Sequence, residues 1–148
     1  MHVKGVNAHR RDKRHRESIL LRAVQIRELK AAGELTIQFT SPNTTQSETA
    51  PYQVGDRIYV RETYGAYFLD HPESNSTYYL YRADYPDDAK GYWYEPEAKI
   101  HFCDFPKWRP ATSMPKDAAR LFIRVVEVRE EHTSVGHMWT TKFTLEEK

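Results

Sequence analysis

The chain has few of the residues on which common enzyme and secreted-protein signatures depend. Among its 148 residues, Cys103 is the only cysteine. A single cysteine excludes an internal disulfide and any multi-cysteine metal site, and it is typical of a reducing compartment. No apolar run approaches the roughly 18 residues of a membrane span, and residues 1–16 lack the apolar segment of a signal peptide. We therefore predict a soluble, cytoplasmic protein without a membrane partner.

Metal, nucleophile and phosphate motifs are also scarce. The only close pair of a histidine and a cysteine is His101 and Cys103, and two ligands do not make a zinc site. Cys103 has no identifiable base beside it, so a buried thiol is the simpler interpretation. Neither standard glycine-rich phosphate loop is present. The sequence therefore predicts no metal and no cofactor.

The net charge of +1 hides an uneven distribution. Residues 1–16 carry six Lys or Arg and one acid, whereas the remainder carries sixteen basic and twenty acidic residues. Such a basic arm can neutralise phosphates, although a solvated leader without a partner has the same composition. We predict a basic flexible arm over 1–17, a single domain over 18–145 and a tail over 146–148. The arm residues that would contact nucleic acid are Arg10, Arg11, Lys13, Arg14 and Arg16.

The chain after the arm has the pattern of a mainly β protein with one clear helix. Gly33 is placed to end that helix as a left-handed cap. The polar residues 41–50 predict an exposed loop, and residues 54–56 predict a tight turn. Gly65 and residues 70–72 are predicted to end the strand segment that follows this turn. The helix is predicted over 23–32, and strands over 18–21, 35–40, 57–63, 78–83, 99–103, 120–130 and 138–144. This order predicts an α+β, mainly β fold: a small antiparallel β-barrel with one or two short helices.

The run 120–130 alternates with apolar groups on both faces. It places Leu121, Ile123 and Val125 on one side. Phe122, Arg124, Val126 and Val128 then fall on the other side. Apolar residues on both faces predict a central strand whose second face is partly covered.

The segment that follows the middle of the chain combines charge, an aromatic ring and prolines. Lys107 and Arg109 flank Trp108, so a phosphate or a planar ligand would meet charge and a stacking face together. Ser113 is placed to cap the turn 115–119. The alternative is that Trp108 and Met114 plug the end of the barrel and the charges are solvated.

Two further features have a functional and a structural interpretation. Glu62 ends a strand, where it would lie at the rim of a ligand cleft or form an ordinary ion pair with Arg82 or Arg120. The loop 84–96 contains Tyr92, Trp93 and Tyr94, which would stack on bases or form a satellite core under the loop.

Several of these segments, in this order, resemble the ASCH-domain proteins of phages and prophages, which belong to the PUA-like superfamily of small β-barrels. The resemblance covers roughly 20–129 and is carried by the runs Tyr52 to Thr63, Tyr81 to Asp84, Trp108 to Pro110, Met114 with Pro115, and Ala118 to Leu121. It implies a cleft suited to RNA or a nucleoside. In some members it also implies hydrolysis of an acetylated cytidine or cleavage of RNA.

The chain departs from the family signature where the hydrolase members have their reactive residues. After Gly33, the family's lysine position is Leu35, its second threonine is Gln38 and its arginine is Thr40. Leucine accepts no proton and glutamine is no nucleophile, so the family chemistry is not expected here. The fold and the cleft remain expected.

The main hypothesis is therefore an ASCH-type module that binds RNA or a nucleotide without catalysis. The first alternative is a hydrolase for a modified nucleoside or RNA, with Glu62 as general base. The second is a barrel that binds and inhibits a host protein. The predicted ligand-binding residues are Glu62, Tyr81, Arg82, Lys107, Trp108, Arg109 and Arg120.

Overall fold

A computed structural model describes residues 17–42, 50–71, 74–94, 101–134 and 136–146. These residues are mainly β, with one α-helix, as predicted. None of the helices in this part of the chain is long and apolar enough to cross a membrane. The elements are β1 (Ser18–Leu20), α1 (Ala23–Ala32), β2 (Glu34–Pro42), β3 (Arg57–Arg61), β4 (Tyr64–His71), β5 (Ser74–Tyr81), β6 (Gly91–Tyr94), β7 (His101–Asp104), β8 (Phe122–Thr133) and β9 (Gly136–Glu146). Short 3-10 turns lie at Arg82–Asp84, Ala111–Ser113 and Lys116–Ala118.

The strands form an open sheet and two separate hairpins. The five-stranded sheet has the order β1-β3-β8-β9-β2, while β4 pairs with β5 and β6 with β7. No closed barrel is found among the described residues. The sheet is also not purely antiparallel, because β1 pairs with β3 in parallel. The chain passes through α1 and β2 between these two strands, and a long crossover of this kind permits parallel pairing.

Helix α1 covers one face of the sheet and supplies the centre of the core. Ile26 and Leu29 are fully buried, and the helix ends at Gly33, whose φ of 77° and bond from its N–H to the Leu29 carbonyl form the predicted left-handed cap. The sheet residues that pack in the same cluster are Leu35, Ile58, Val60, Ile123, Val125 and Phe143. The alternations predicted for β2 and β3 therefore point their apolar residues toward the helix.

Strand β8 is the central strand of the sheet, as predicted, but its alternation is broken. The register with β9 shifts between Val125 and Glu127, which marks a β-bulge. The extra residue, Val126, is exposed. Val128 consequently packs against the same core as Val125, whereas simple alternation predicted the opposite face. The prediction for Val128 was wrong because one inserted residue reverses every side chain that follows it.

The segment after β3 differs most from the sequence prediction. Gly65 does not close a segment, because it lies inside the eight-residue strand β4. A Cβ at Gly65 would lie 2.5 Å from Cγ of Pro106, so this glycine permits a close approach between β4 and the chain before Trp108. Strand β5 ends at Tyr81, and the residues predicted to continue it form the turn Arg82–Asp84. Ser41 and Pro42 belong to β2, Ala50 is buried, and the rest of the predicted loop 41–50 lies outside the described residues.

Candidate nucleic-acid interface

Glu62 follows β3 and is buried, with 1% of its surface exposed. The Nε and Nη2 groups of Arg120 donate to its two carboxylate oxygens at 3.1 and 2.9 Å. An ion pair with Arg120 was one of the two interpretations predicted for Glu62, and the structure contains it. Burial raises the pKa of Glu62 above its usual value, although the hydrogen bonds and the charge of Arg120 act in the opposite direction.

Arg120 joins Glu62 to a larger charged network. Its Nη1 donates to both oxygens of Asp84 at 2.8 and 2.7 Å, and Lys30 donates to Asp84 at 3.1 Å. Burial alone would raise the pKa of Asp84, but the hydrogen bonds from Arg120 and Lys30 outweigh it and hold that pKa below its usual value. The guanidinium carbon of Arg120 also lies 4.1 Å from the centre of the Tyr81 ring. These two cations and two carboxylates therefore neutralise one another.

The network leaves Glu62 poorly placed to take a proton from a substrate. Each carboxylate oxygen already accepts a bond from Arg120. The backbone N–H of Glu62 donates to Sδ of Met114 at 3.3 Å, and Met114 is itself buried. A general base needs a lone pair that the substrate can reach, and none is presented here. Tyr81 is committed as well, because its hydroxyl donates to the Ala118 carbonyl at 2.6 Å.

Trp108 and Arg82 lie together, but both are largely used within the fold. The Arg82 guanidinium donates to the carbonyls of Tyr85, Pro86 and Asp87, and it lies 5.7 Å from the centre of the Trp108 ring. Trp108 is half-buried and contacts the rings of Phe105 and Tyr85 at centroid distances of 5.0 and 6.4 Å. Tyr92 stacks on Phe105 in the same group, so part of the loop 84–96 forms the satellite core that was one of its two interpretations. Trp108 is therefore only partly accessible to a ligand.

Lys107 and Arg109 have a different environment from Arg82 and Arg120. Arg109 forms two backbone hydrogen bonds with Tyr64, which anchor this segment to the start of β4. The side chains of Lys107 and Arg109 are exposed. Neither has a carboxylate partner among the residues that the structure describes.

Two more cations join this segment, and sequence reasoning did not select them as ligand-binding residues. The Nη1 of Arg61 donates to the Thr112 carbonyl at 3.2 Å, while its Nε is buried without a hydrogen-bond partner. The Nζ of Lys116 lies 5.8 Å from the centre of the Tyr59 ring. The alternation of β3 had placed Tyr59 and Arg61 on one face, which was the available signal. We call the side chains of Arg61, Lys107, Arg109 and Lys116 the basic loop surface.

Elsewhere in the described part of the chain, Lys and Arg side chains are mostly paired with carboxylates. Most of the other Lys and Arg side chains there have a carboxylate within 4.0 Å. These are Arg27, Lys30, Arg57, Arg120, Arg124, Arg129 and Lys142. The structure describes 14 Lys and Arg, so 14 − 7 = 7 have no such carboxylate among the described residues: the four of the basic loop surface and Arg22, Arg82 and Lys90. At the basic loop surface an external anion would meet uncompensated charge.

The basic arm joins the domain beside this surface. Ser18, the first residue of β1, is in register with Tyr59 of β3, and the Glu17 carbonyl accepts the Tyr59 N–H at 3.0 Å. The ring of Tyr59 is the one that Lys116 contacts. Arg10, Arg11, Lys13, Arg14 and Arg16 lie outside the described residues. The described chain therefore begins at a residue bonded to Tyr59, next to the basic loop surface.

Two smaller predictions fall at the edges of this region. Ser113 does not cap the turn Lys116–Ala118, because its hydroxyl donates to the Pro110 carbonyl at 2.9 Å. Pro115 is the N-cap residue of that turn, and its carbonyl accepts the Ala118 N–H at 3.0 Å. Cys103 is half-buried in β7, and the side chain of His101 is outside the described residues.

No protein-family model, no curated protein and no solved structure matches this chain. The resemblance to ASCH-domain proteins therefore stays a prediction. The position aligned with the family's lysine, Leu35, is 4% exposed and packs in the core beneath α1. An amine in its place would lie among apolar side chains.

Proposed function

We propose that the chain is a PUA-like, ASCH-type module of phage or prophage origin that binds RNA or a nucleotide without catalysing the family reaction. The observation that supports this most is that Glu17, the residue that follows the arm residues 1–16, bonds to Tyr59, whose ring Lys116 of the basic loop surface contacts. Phosphates bind where several cations lack internal counter-ions, and single-stranded nucleic acid adds base stacking on exposed ring faces. The half-buried rings of Tyr59 and Trp108 would supply such faces.

The predicted ligand-binding residues divide into two groups under this proposal. Lys107 and Arg109 contact phosphate directly, together with Arg61 and Lys116. Glu62, Tyr81 and Arg120 hold the segment 109–120 against the sheet through their mutual contacts and the Tyr81 bond to Ala118. The second group acts on affinity only by positioning the first.

Binding of a fluorescent single-stranded RNA, followed by anisotropy over a series of salt concentrations, tests the proposal. Each phosphate contact to a single strand contributes about 0.7 to the slope of log K against log salt. The double variant K107Q/R109Q is therefore expected to lower the slope by about 1.4. Replacing all five arm residues with glutamine is expected to lower it further.

The matched control is Arg129→Gln, which removes an exposed cation from the distant part of β8, where Arg129 pairs with Glu127 at 3.7 Å. Its salt slope should equal that of the wild type. The proposal fails if the wild-type protein binds no RNA at low salt, or if Arg129→Gln and K107Q/R109Q change the slope equally.

One observation favours a second candidate function, the binding of a host protein. Trp93 and Phe102 face each other across β6 and β7 at a ring distance of 5.7 Å, yet 67% and 52% of their surfaces are exposed. Exposed aromatic pairs of this size are common in protein interfaces. Capture of a host protein from nuclease-treated lysate by the wild type, and not by Trp93→Ser, would support it. Loss of every captured protein on nuclease treatment would favour RNA binding instead.

A further inference from the structure

The end of the β8–β9 hairpin holds a cluster of metal-ligating side chains that the proposed function does not use. Glu130 and His132 are two residues apart on β8, so their side chains point to the same face. His137 is the direct partner of His132 on β9. One carboxylate and two imidazoles therefore converge on one face of the hairpin.

The spacing of the three groups is close to what a metal ion requires. Oε1 of Glu130 lies 2.8 Å from Nδ1 of His137 and 3.2 Å from Nε2 of His132. One ligand atom from each residue lies within 4.8 Å of the other two. Donors at Zn–N and Zn–O distances of about 2.0 to 2.2 Å on a tetrahedron are roughly 3.3 Å apart. The two distances from Glu130 to the histidines are therefore about 0.5 and 0.1 Å shorter than that spacing.

The backbone and a neighbouring ring hold this arrangement. The ring of His137 is stacked on Trp139, at 15° between planes and 6.3 Å between centres, and Trp139 is buried. The turn is closed by a hydrogen bond from the Thr133 hydroxyl to the Gly136 carbonyl at 2.7 Å. Two of the ligands thus come from residues that are already paired across the two strands. Binding of an ion therefore costs little conformational entropy for bringing them together.

We propose that Glu130, His132 and His137 form a binding site for a divalent transition-metal ion of the zinc type. Two imidazole nitrogens and one carboxylate oxygen suit Zn²⁺ or Co²⁺ and are poor ligands for Mg²⁺ or Ca²⁺. The side chain of His132 is 74% exposed, so the remaining coordination position is open to solvent. The ion would cross-link β8 to β9 at the end of the hairpin.

Titration of the full chain with Co²⁺ at about pH 7.5 tests the site through the visible absorption of the bound ion. One equivalent should give a tetrahedral or five-coordinate spectrum, which Zn²⁺ abolishes by displacement. Even loss of an outer-shell partner typically costs about 10- to 100-fold in metal affinity, so His132→Ala should cost at least that much. Because the His132 side chain is exposed, its removal leaves no buried cavity, and circular dichroism verifies the fold.

The matched control is a triple variant with His2, His9 and His15 changed to glutamine, because these arm histidines can also bind Co²⁺. The proposal predicts that this variant keeps one equivalent with the wild-type affinity and spectrum. Retention of full affinity in His132→Ala would overturn it, as would loss of binding in the triple variant. Absence of any Co²⁺ binding by the wild type would show that the three side chains are joined by hydrogen bonds alone.

Discussion

Replacement of Arg120 by methionine tests whether the Glu62 network is a structural element. Methionine keeps much of the apolar stem that packs near Tyr81, but it removes every donor to Glu62 and Asp84. Glu62 would then be a buried carboxylate without a partner. Asp84 would keep its bond to Lys30 and is partly exposed, so the larger effect falls on Glu62.

The expected loss of stability follows from the burial of the pair. Removing one partner of a buried ion pair costs about 3–5 kcal/mol, because the remaining charge is left in an apolar environment. The Arg120 side chain is 20% exposed, so water reaches one side of the pair. We therefore expect the lower end, about 3 kcal/mol in the free energy of unfolding at pH near 8.

This loss should depend on pH in a defined direction. Burial raises the pKa of Glu62 in the folded chain, and loss of Arg120 removes the groups that oppose the rise. Between the pKa of Glu62 in the unfolded chain and its higher pKa in the folded chain, the folded state binds more protons than the unfolded state. The stability contributed by protonated Glu62 is therefore complete below the unfolded pKa and is lost as pH rises through the folded pKa. The destabilisation by Arg120→Met should thus be smaller at acidic pH than at pH near 8.

Urea unfolding at acidic pH and at pH near 8, followed by fluorescence, measures the loss of stability and its pH dependence. The double variant E62Q/R120M should recover part of the loss and show little pH dependence, because glutamine carries no charge. The control Arg129→Met, at an exposed pair, should stay within about 0.5 kcal/mol of the wild type. A cost for Arg120→Met below about 1 kcal/mol, or one equal at both pH values, would refute the structural role.

Other contacts give further predictions. Gly65→Ala places a Cβ 2.5 Å from Pro106, so it should destabilise the protein by about 1–3 kcal/mol through overpacking, measured by urea unfolding. An unchanged midpoint would contradict that close approach. Tyr52→Phe removes the bond from the Tyr52 hydroxyl to the Ser18 carbonyl at 2.9 Å, and thermal unfolding should show a loss of about 1–3 kcal/mol. No loss would indicate that water replaces the hydroxyl.

The fold was predictable where the pattern is local. The helix could be located because Ile26 and Leu29 have helical spacing and Gly33 follows, and both signals act within a few residues. Strand β3 was predictable because Ile58 and Val60 alternate with polar residues after the tight turn at Gly55. The central position of β8 followed from apolar residues on both faces.

The remaining structure depends on contacts between distant segments. The bulge after Val125 leaves no local signal, since Val126 and Val128 both suit an alternating strand. The sequence of β1 also does not indicate its parallel pairing with β3, because a three-residue strand can pair in a parallel or an antiparallel direction. A closed barrel needs strands that return to the first edge, and short apolar runs do not specify that closure.

The predicted site residues have different environments for the same reason, because these depend on contacts between distant segments. Arg109 and Arg120 are equally basic in the sequence, and both lie near Trp108. In the fold, Arg120 meets Glu62 and Asp84, whereas Arg109 has no carboxylate partner among the described residues and is held by its backbone bonds to Tyr64. A cation already bonded to two carboxylates gains little from a phosphate, since it must give up those bonds, while an unpaired exposed cation gives up only water. Under the proposed function, the binding energy for an anion is therefore concentrated in Lys107 and Arg109, and the buried carboxylate of Glu62 holds the surface that carries them.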